Sequence, residues 1–164
     1  MFARSRVASL LAVVLILPWA ALAACADDPT GPRAGTLTMG ADEGLDFVSG
    51  SVRSPGNFKN SDLYAAANGD LGLKLLTGGP DATKNRPIVW FKGPGGLPAT
   101  FDAFDDVPNT PAADTDTEQL THAKAHYGFV LETHTGTQVK GWIEAADKDS
   151  VTIQFGPLET TESP

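Results

Sequence analysis

Every histidine of this 164-residue chain lies within one short stretch, and a carboxylate precedes them. Glu118, His122 and His126 follow one another at intervals of four residues, and His134 comes eight residues later. Side chains four residues apart share one face of a helix. Because imidazole nitrogens bind zinc, ferric iron and haem iron, these four residues are candidate ligands for a metal or for haem. The alternative is that the histidines face solvent and that Glu118 only caps the helix.

The element that must position these side chains is a helix, which we predict over residues 114–127. Thr115 and Glu118 match a capping box, and residues that favour helices follow them. His134 lies beyond this helix, on the strand that we predict next. We therefore expect His122 and His126 to stack on one helix face, with His134 close enough to approach them.

Aromatic residues supply a further candidate for ligand binding. Trp142 falls on the polar register of a predicted strand, where it either packs against a loop or a second layer or forms an aromatic platform for a ligand. Phe101 and Phe104 lie in a long loop, residues 94–111, that glycines and prolines interrupt. They either fold back over the core or line the mouth of a ligand pocket.

The remaining pattern predicts a mainly β fold. Short apolar or alternating runs are separated by Gly, Pro, Asn and Asp from Thr36 onward, and Asn68-Gly69 is typical of a hairpin turn. Residues 128–134, 137–145 and 150–155 form an antiparallel meander in which one face should be apolar and the other polar. We expect an antiparallel meander or β-sandwich-like single domain with one short helix.

Motif analysis gives no support for an enzyme. The chain has no nucleophile elbow, phosphate-binding loop or zinc-protease motif, so we predict a protein that does not catalyse. Asp102, Asp105 and Asp106 could offer oxygen ligands to calcium, but their spacing is not that of an EF-hand. The cofactor remains unknown, with haem as one alternative.

The first residues of the chain match a bacterial lipoprotein leader. An apolar run follows Arg4 and Arg6, and Leu-Ala-Ala-Cys at residues 22–25 is the pattern that signal peptidase II cuts, just before a cysteine that carries lipid. The run is too short to span a membrane. We therefore predict a signal peptide over residues 1–24, a lipidated cysteine and flexible tether over 25–35, a β-rich domain over 36–158 and a polar tail over 159–164.

Charge narrows the range of partners. The chain has a formal net charge of -8, and removal of a leader that carries two arginines makes the mature protein more acidic still. Such a surface excludes nucleic acid, which requires clustered Lys and Arg. Contact with the membrane then depends on the lipid anchor. We predict a cell-envelope protein at the outer membrane, facing either the periplasm or, as the acids Asp27 and Asp28 suggest, the cell surface.

Strand patterns in both halves of the domain resemble a known family. Residues 128–133, 139–143 and 150–155 look like the C-terminal strands of the HmuY-like haemophore lipoproteins, and residues 45–47 with 61–64 are similar to that family's N-terminal opening. The resemblance implies a predominantly β, lipid-anchored domain that captures haem between axial side chains from loops. It carries no ligand motif across, so the three histidines remain candidates on their chemistry alone.

Two hypotheses of different classes follow. In the first, the anchored domain binds a small ligand, such as haem or a metal, through the histidines and Trp142. In the second, it is a non-catalytic surface interaction or adhesion module that recognises a protein or a glycan. The position of the histidines separates them, because the first hypothesis requires the imidazoles to be ordered at a site and the second leaves them solvated.

Overall fold

Alternating apolar residues in the last third of the chain form three of the five strands in the larger of two sheets in this computed structural model. The structure describes residues 32–78, 88–109, 120 and 122–158. The predicted leader, the lipidated cysteine, the polar tail and Glu118 lie outside the described residues. Five antiparallel strands form this sheet in the order β1-β9-β8-β7-β6. They are β1 (Gly35–Gly40), β6 (Ile88–Trp90), β7 (Gly128–Glu132), β8 (Gln138–Ala146) and β9 (Ser150–Pro157).

The second sheet comes from the first half of the domain. Its four antiparallel strands have the order β3-β2-β4-β5. They are β2 (Gly44–Asp46), β3 (Ser51–Arg53), β4 (Leu63–Ala67) and β5 (Leu73–Thr77). The predicted hairpin is therefore present as β4 and β5. Its connection is longer than a two-residue turn, because a 3₁₀ turn at Gly69–Leu71 is inserted and the amide of Asn68 donates to the carbonyl of Gly72 at 2.8 Å.

The main core lies between the two sheets. Phe47, which follows β2, packs on Phe155 of β9 with ring centroids 4.7 Å apart. On the meander, the inner face presents alternate apolar residues, all nearly or completely buried: Phe129, Leu131, Val139, Ile143, Val151, Ile153 and Phe155. The predicted mainly β, sandwich-like single domain is confirmed.

The outer face of the meander differs from the polar face that we predicted. A second apolar cluster covers it, in which Val130 and Trp142 of the sheet pack with Phe91 and Val107, and Phe101 and Phe104 lie against them. The loop that carries Phe101 and Phe104 thus folds back over the sheet, which was one of the two predicted alternatives for these phenylalanines. The prediction that this face is polar and exposed to solvent was therefore wrong, because a loop distant in sequence covers it with apolar side chains.

The predicted helix over residues 114–127 is wrong in its described part. Residues 122–127 are not helical, and the described residues contain no helix of seven or more residues. The amide of Ala123 donates to the carbonyl of Leu73 at 2.8 Å, and that of His126 donates to Ile143 at 2.6 Å. These amides cannot also serve an α-helical ladder. The short helical elements are instead 3₁₀ turns at Gly69–Leu71, Pro94–Gly96 and Phe104–Asp106.

Among the residues that the structure describes, none of the helical segments has the length and apolar character needed to cross a bilayer.

Candidate functional site

A buried carboxylate and an imidazole meet where the two sheets come together. His134 lies in the turn between β7 and β8, and Asp62 immediately precedes β4 in the other sheet. The Nδ1 atom of His134 lies 3.0 Å from Oδ1 of Asp62, and the His134 amide donates to the same oxygen at 2.5 Å. The Asp62 side chain has no exposed surface, whereas 18% of the His134 side chain is exposed. The pair therefore joins a buried acid to an accessible ring.

Burial and hydrogen bonding act in opposite directions on Asp62. Burial raises the pKa of its carboxyl group, because a charge is poorly solvated in the interior. Hydrogen bonds from the amides of His134 and Phe47, and from the His134 ring, oppose that rise. The Phe47 amide donates to Oδ2 at 2.8 Å. The net pKa is raised, and both oxygens of the carboxylate are held in fixed positions by N–H donors.

A second buried acid, Asp46, lies beside this pair. One ligand atom from each of Asp46, Asp62 and His134 lies within 4.8 Å of the others, a spacing that could suit a metal ion. However, Oδ1 of Asp46 accepts hydrogen bonds from the amides of Val48 and Ser49 at 3.0 Å, and Oδ2 forms an ion pair with Arg53.

The pKa of Asp46 shows which of these influences dominates. Burial raises it, but the hydrogen bonds from Ser49 and Arg53 and the Arg53 charge lower it by more. A cation placed between Asp46 and Asp62 would have to compete with the guanidinium of Arg53. The carboxylates of Asp46 and Asp62 therefore act as hydrogen-bond acceptors that hold neighbouring backbone segments in place. Of the three residues, His134 has the side chain that is most accessible to a ligand.

The hydrogen bond to Asp62 determines the chemistry of the His134 ring. A neutral imidazole that donates from Nδ1 carries its lone pair on Nε2. A carboxylate behind Nδ1 orients the ring, as it does for many metal-binding histidines. Partial exposure of the side chain leaves the ring accessible from solvent. His134 is therefore the best-oriented candidate for a nitrogen ligand among the described residues.

The other sequence-predicted candidates lie in different surroundings. The ring of His126 packs edge-on against Trp142 with centroids 5.7 Å apart, and its Nδ1 lies 3.2 Å from the carbonyl oxygen of Phe101. Trp142 is 8% exposed and donates from Nε1 to the same carbonyl at 3.0 Å. Trp142 therefore packs against the loop, which was one of its two predicted roles, and both side chains hold that loop in place.

His122 lies at yet another position, lining a surface cleft beside the turn between β8 and β9. β8 runs from the His134 turn to this turn, so the two sites lie at opposite ends of the sandwich. The structure thus does not bring the histidines onto one face. Glu118 lies outside the described residues.

Sequence reasoning missed the acids that organise His134. Asp46 interrupts an apolar run, at Leu45-Asp46-Phe47, and Asp62 directly precedes another, at Asp62-Leu63. A carboxylate next to buried apolar residues needs hydrogen-bond or ion-pair partners, because an unpaired buried charge is costly. This sequence pattern could therefore have identified both acids as candidates for a buried polar site. It does not reveal which partner is used, because His134 is 72 positions from Asp62.

Comparison with known proteins adds no assignment to this geometry. Family models, curated proteins and solved structures were compared with the chain, and none of them matches it. The functional argument therefore depends on the residues, their contacts and their chemistry.

Proposed function

We propose that this chain is a lipid-anchored protein of the bacterial cell envelope whose β-sandwich binds a small metal-bearing ligand through His134. The observation that carries the proposal is the hydrogen bond between His134 Nδ1 and the fully buried Asp62. A buried carboxylate needs hydrogen-bond donors, and the backbone amides of Phe47 and His134 already supply them to Asp62. The additional ring contact orients a partly exposed imidazole and engages its Nδ1 atom, which leaves Nε2 as the atom that we propose for coordination.

Two forms of the ligand fit this chemistry. A free divalent ion such as zinc would take Nε2 of His134 as one of its ligands. Haem iron would take the same atom as an axial ligand, and the resemblance of the strands to the HmuY-like haemophores supports this form. In either case the protein supplies a nitrogen ligand in a fixed orientation, and no catalytic step is needed.

The alternative is a non-catalytic surface module that recognises a protein or a glycan. Two large apolar side chains favour it, because Leu97 is 66% exposed and Leu71 is 56% exposed. Apolar side chains at a surface can contribute to an interface, although single ones are common on soluble proteins. In this alternative the Asp62–His134 pair has only a structural role.

Titration of the purified protein with haemin, and separately with zinc, distinguishes these functions. Haemin binding is followed by the Soret absorbance and zinc binding by calorimetry. We expect wild type to bind at least one of the two probes, His134→Ala to lose that binding, and Asp62→Asn to weaken it by about 10- to 100-fold. His126→Ala is the matched control, because it removes an imidazole that is committed to the loop.

Each result has a definite meaning. Loss of binding in His134→Ala but not in His126→Ala supports the proposal and identifies the ligand atom. Absence of binding of both probes to the folded wild-type protein overturns it and favours the surface module. Equal binding by wild type and His134→Ala also overturns it, because the site must then lie elsewhere.

A further inference from the structure

Arg53 is a cationic side chain beside the proposed His134 site. It belongs to β3, the edge strand of the four-stranded sheet, and is paired with Gly44, while Asp46 of the same hairpin is paired with Ser51. Arg53 and Asp46 are therefore diagonal neighbours on one face of the two strands. The guanidinium forms an ion pair with Oδ2 of Asp46. A positive charge of the protein itself thus already lies on one of the two acids.

The two oxygens of the Asp46 carboxylate have separate partners. Oδ1 accepts hydrogen bonds from the amides of Val48 and Ser49 at 3.0 Å, which hold the turn after β2. Oδ2 faces the guanidinium of Arg53. Release of the arginine would therefore free one oxygen for another cation and leave the two amide hydrogen bonds in place.

The guanidinium is incompletely paired in this position. The nitrogen that contacts Asp46 also lies 3.5 Å from Oγ of Ser49. The Nε atom is buried and has no hydrogen-bond partner in the part of the chain that the structure describes. Because a buried donor without an acceptor is unfavourable, this ion pair is weaker than a two-pronged arginine–carboxylate pair. The side chain is also 29% exposed, so it has a route to solvent.

Asp46 is close enough to His134 for both to bind one ion. One ligand atom from each of Asp46, Asp62 and His134 lies within 4.8 Å of the others. Three N–H donors already hold Asp62, so Asp46 is the acid that can exchange its partner. An imidazole nitrogen and a carboxylate oxygen are ligands that zinc accepts together.

We infer that Arg53 controls metal binding at this site, because its guanidinium and a divalent cation compete for the carboxylate of Asp46. The ion binds His134 and Asp46 together, and Arg53 turns towards solvent. One cation replaces another, so the buried carboxylate is paired in both states. This inference rests on the proposed function and narrows its ligand to a bare divalent ion such as zinc. Haem iron needs only an axial ligand from the protein and gains nothing from Asp46.

Zinc titration by calorimetry tests the competition. Arg53→Gln should bind zinc about tenfold more tightly than wild type, because the ion no longer has to displace a charged partner from Asp46. Lys59→Gln is the matched control, since it removes one positive charge at an exposed position and should change zinc affinity by less than about twofold. Haemin affinity, measured by Soret absorbance, should be the same in Arg53→Gln as in wild type.

A double-mutant cycle assigns the gain to Asp46. Asp46→Asn should weaken zinc binding by about tenfold, because an ionised ligand is lost. In that background Arg53→Gln should no longer increase the affinity. Arg53→Lys keeps the charge and should give a smaller increase than Arg53→Gln.

A measurement on the wild-type protein does not depend on the folding of these variants. The Nε–H proton of Arg53 gives a nuclear magnetic resonance signal that is assigned by its absence in Arg53→Lys. Saturation with zinc should shift this signal, because Nε leaves its buried position when the guanidinium is displaced.

The possible results separate this inference from the function on which it rests. Tighter zinc binding by Arg53→Gln that depends on Asp46 supports the inference. Equal zinc affinity in wild type and Arg53→Gln, an equal gain in Lys59→Gln, or an unmoved Nε–H signal at zinc saturation overturns it. If His134 binds haemin and neither wild type nor Arg53→Gln binds zinc, the inference fails and the proposed function stands. If none of the proteins binds either probe, both fail.

Discussion

The ring of His134 and the carboxylate of Asp62 are hydrogen-bonded at 3.0 Å although 72 positions separate them in the chain. His134 belongs to a turn of the five-stranded sheet, and Asp62 immediately precedes a strand of the four-stranded sheet. The contact therefore joins the two layers of the sandwich at one end. It has a structural consequence that does not depend on any ligand.

Asp62→Asn should destabilise the fold by about 3–5 kcal/mol, because an amide offers only one acceptor oxygen to three N–H donors. The NH₂ group would face either the Phe47 amide or the His134 donors. The free energy of unfolding is measured by urea denaturation. His134→Ala removes only the ring contact and should cost about 1–2 kcal/mol, since the amide of residue 134 remains. An equal loss of unfolding free energy in Asp62→Asn and His134→Ala would contradict the prediction that the carboxylate contributes more to stability than the ring contact does.

Close packing between neighbouring strands gives a second prediction. Gly141 of β8 is paired with Phe129 of β7, and a Cβ atom at Gly141 would lie 2.2 Å from the Phe129 ring. Gly141→Ala should therefore destabilise the protein by about 1–3 kcal/mol, as judged by thermal unfolding. The comparison variant is Gly40→Ala, where the new Cβ would lie 3.5 Å from the Asp149 carbonyl oxygen, an ordinary contact.

A double variant identifies the cause of that loss. Combining Phe129→Leu with Gly141→Ala should cost less than the sum of the two single changes, because the smaller side chain makes room for the methyl group. Additive losses would show that the ring is not the obstacle.

The alternation of apolar residues was sufficient to predict the meander. Val151, Ile153 and Phe155 face the core as their spacing requires, and the strand bounds lie close to the predicted ones. The same alternation placed Trp142 on the opposite face, which is correct. It could not predict that this face is covered, because the cover comes from Phe101, 41 positions away.

Tertiary pairing also explains why the helix prediction failed. The capping pattern at Thr115 and Glu118 is a local signal, and those residues lie outside the described part of the chain. Beyond them, Leu120 accepts a hydrogen bond from Leu75 at 2.9 Å, and Ala123 donates to Leu73. These bonds to the edge of β5 replace the local hydrogen bonds of a helix, so the predicted stacking of His122 on His126 is lost.

The buried Lys140 gives a third prediction. Its Nζ atom donates to the carbonyl of Val107 at 3.2 Å and lies 4.6 Å from the centroid of the Phe104 ring. Lys140→Met keeps the apolar stem but removes the ammonium group, so it should lower the free energy of unfolding by about 1–2 kcal/mol. Lys124→Met, at an exposed position, is the control for a change in charge. If the Lys140→Met protein is as stable as wild type, the ammonium group does not contribute to the free energy of unfolding beyond the packing of the apolar stem.

Tyr64 should make stability depend on pH in the alkaline range. Its hydroxyl donates to Oδ1 of Asp42 at 2.7 Å; this hydrogen bond, together with burial and the Asp42 charge, raises the pKa of Tyr64 to about 12. The ordinary value is 10.0, so the unfolded chain loses this proton first. The contribution of Tyr64 is present below pH 10 and is lost as the pH rises towards 12. Urea denaturation across this range should show a smaller loss for Tyr64→Phe than for wild type.

A direct titration checks the assignment to Asp42. In a Tyr127→Phe background, tyrosinate absorbance reports Tyr64 alone, because the chain has two tyrosines. Asp42→Asn should move the pKa of Tyr64 down towards 10, since the charged acceptor is removed. An unchanged pKa would mean that burial is the main cause of the shift.

Cys25 is the residue on which the proposed location depends. Lipidation attaches acyl chains whose buried methylenes contribute about 0.8 kcal/mol each, and two or more chains give stable anchoring. We expect the wild-type protein to partition into detergent and to have the mass of a lipidated chain beginning at Cys25. Cys25→Ser should lose the lipid mass, because a hydroxyl cannot form the thioether. A detergent-phase Cys25→Ser protein that has lost its leader would contradict the assignment, since membrane attachment would then come from another part of the chain.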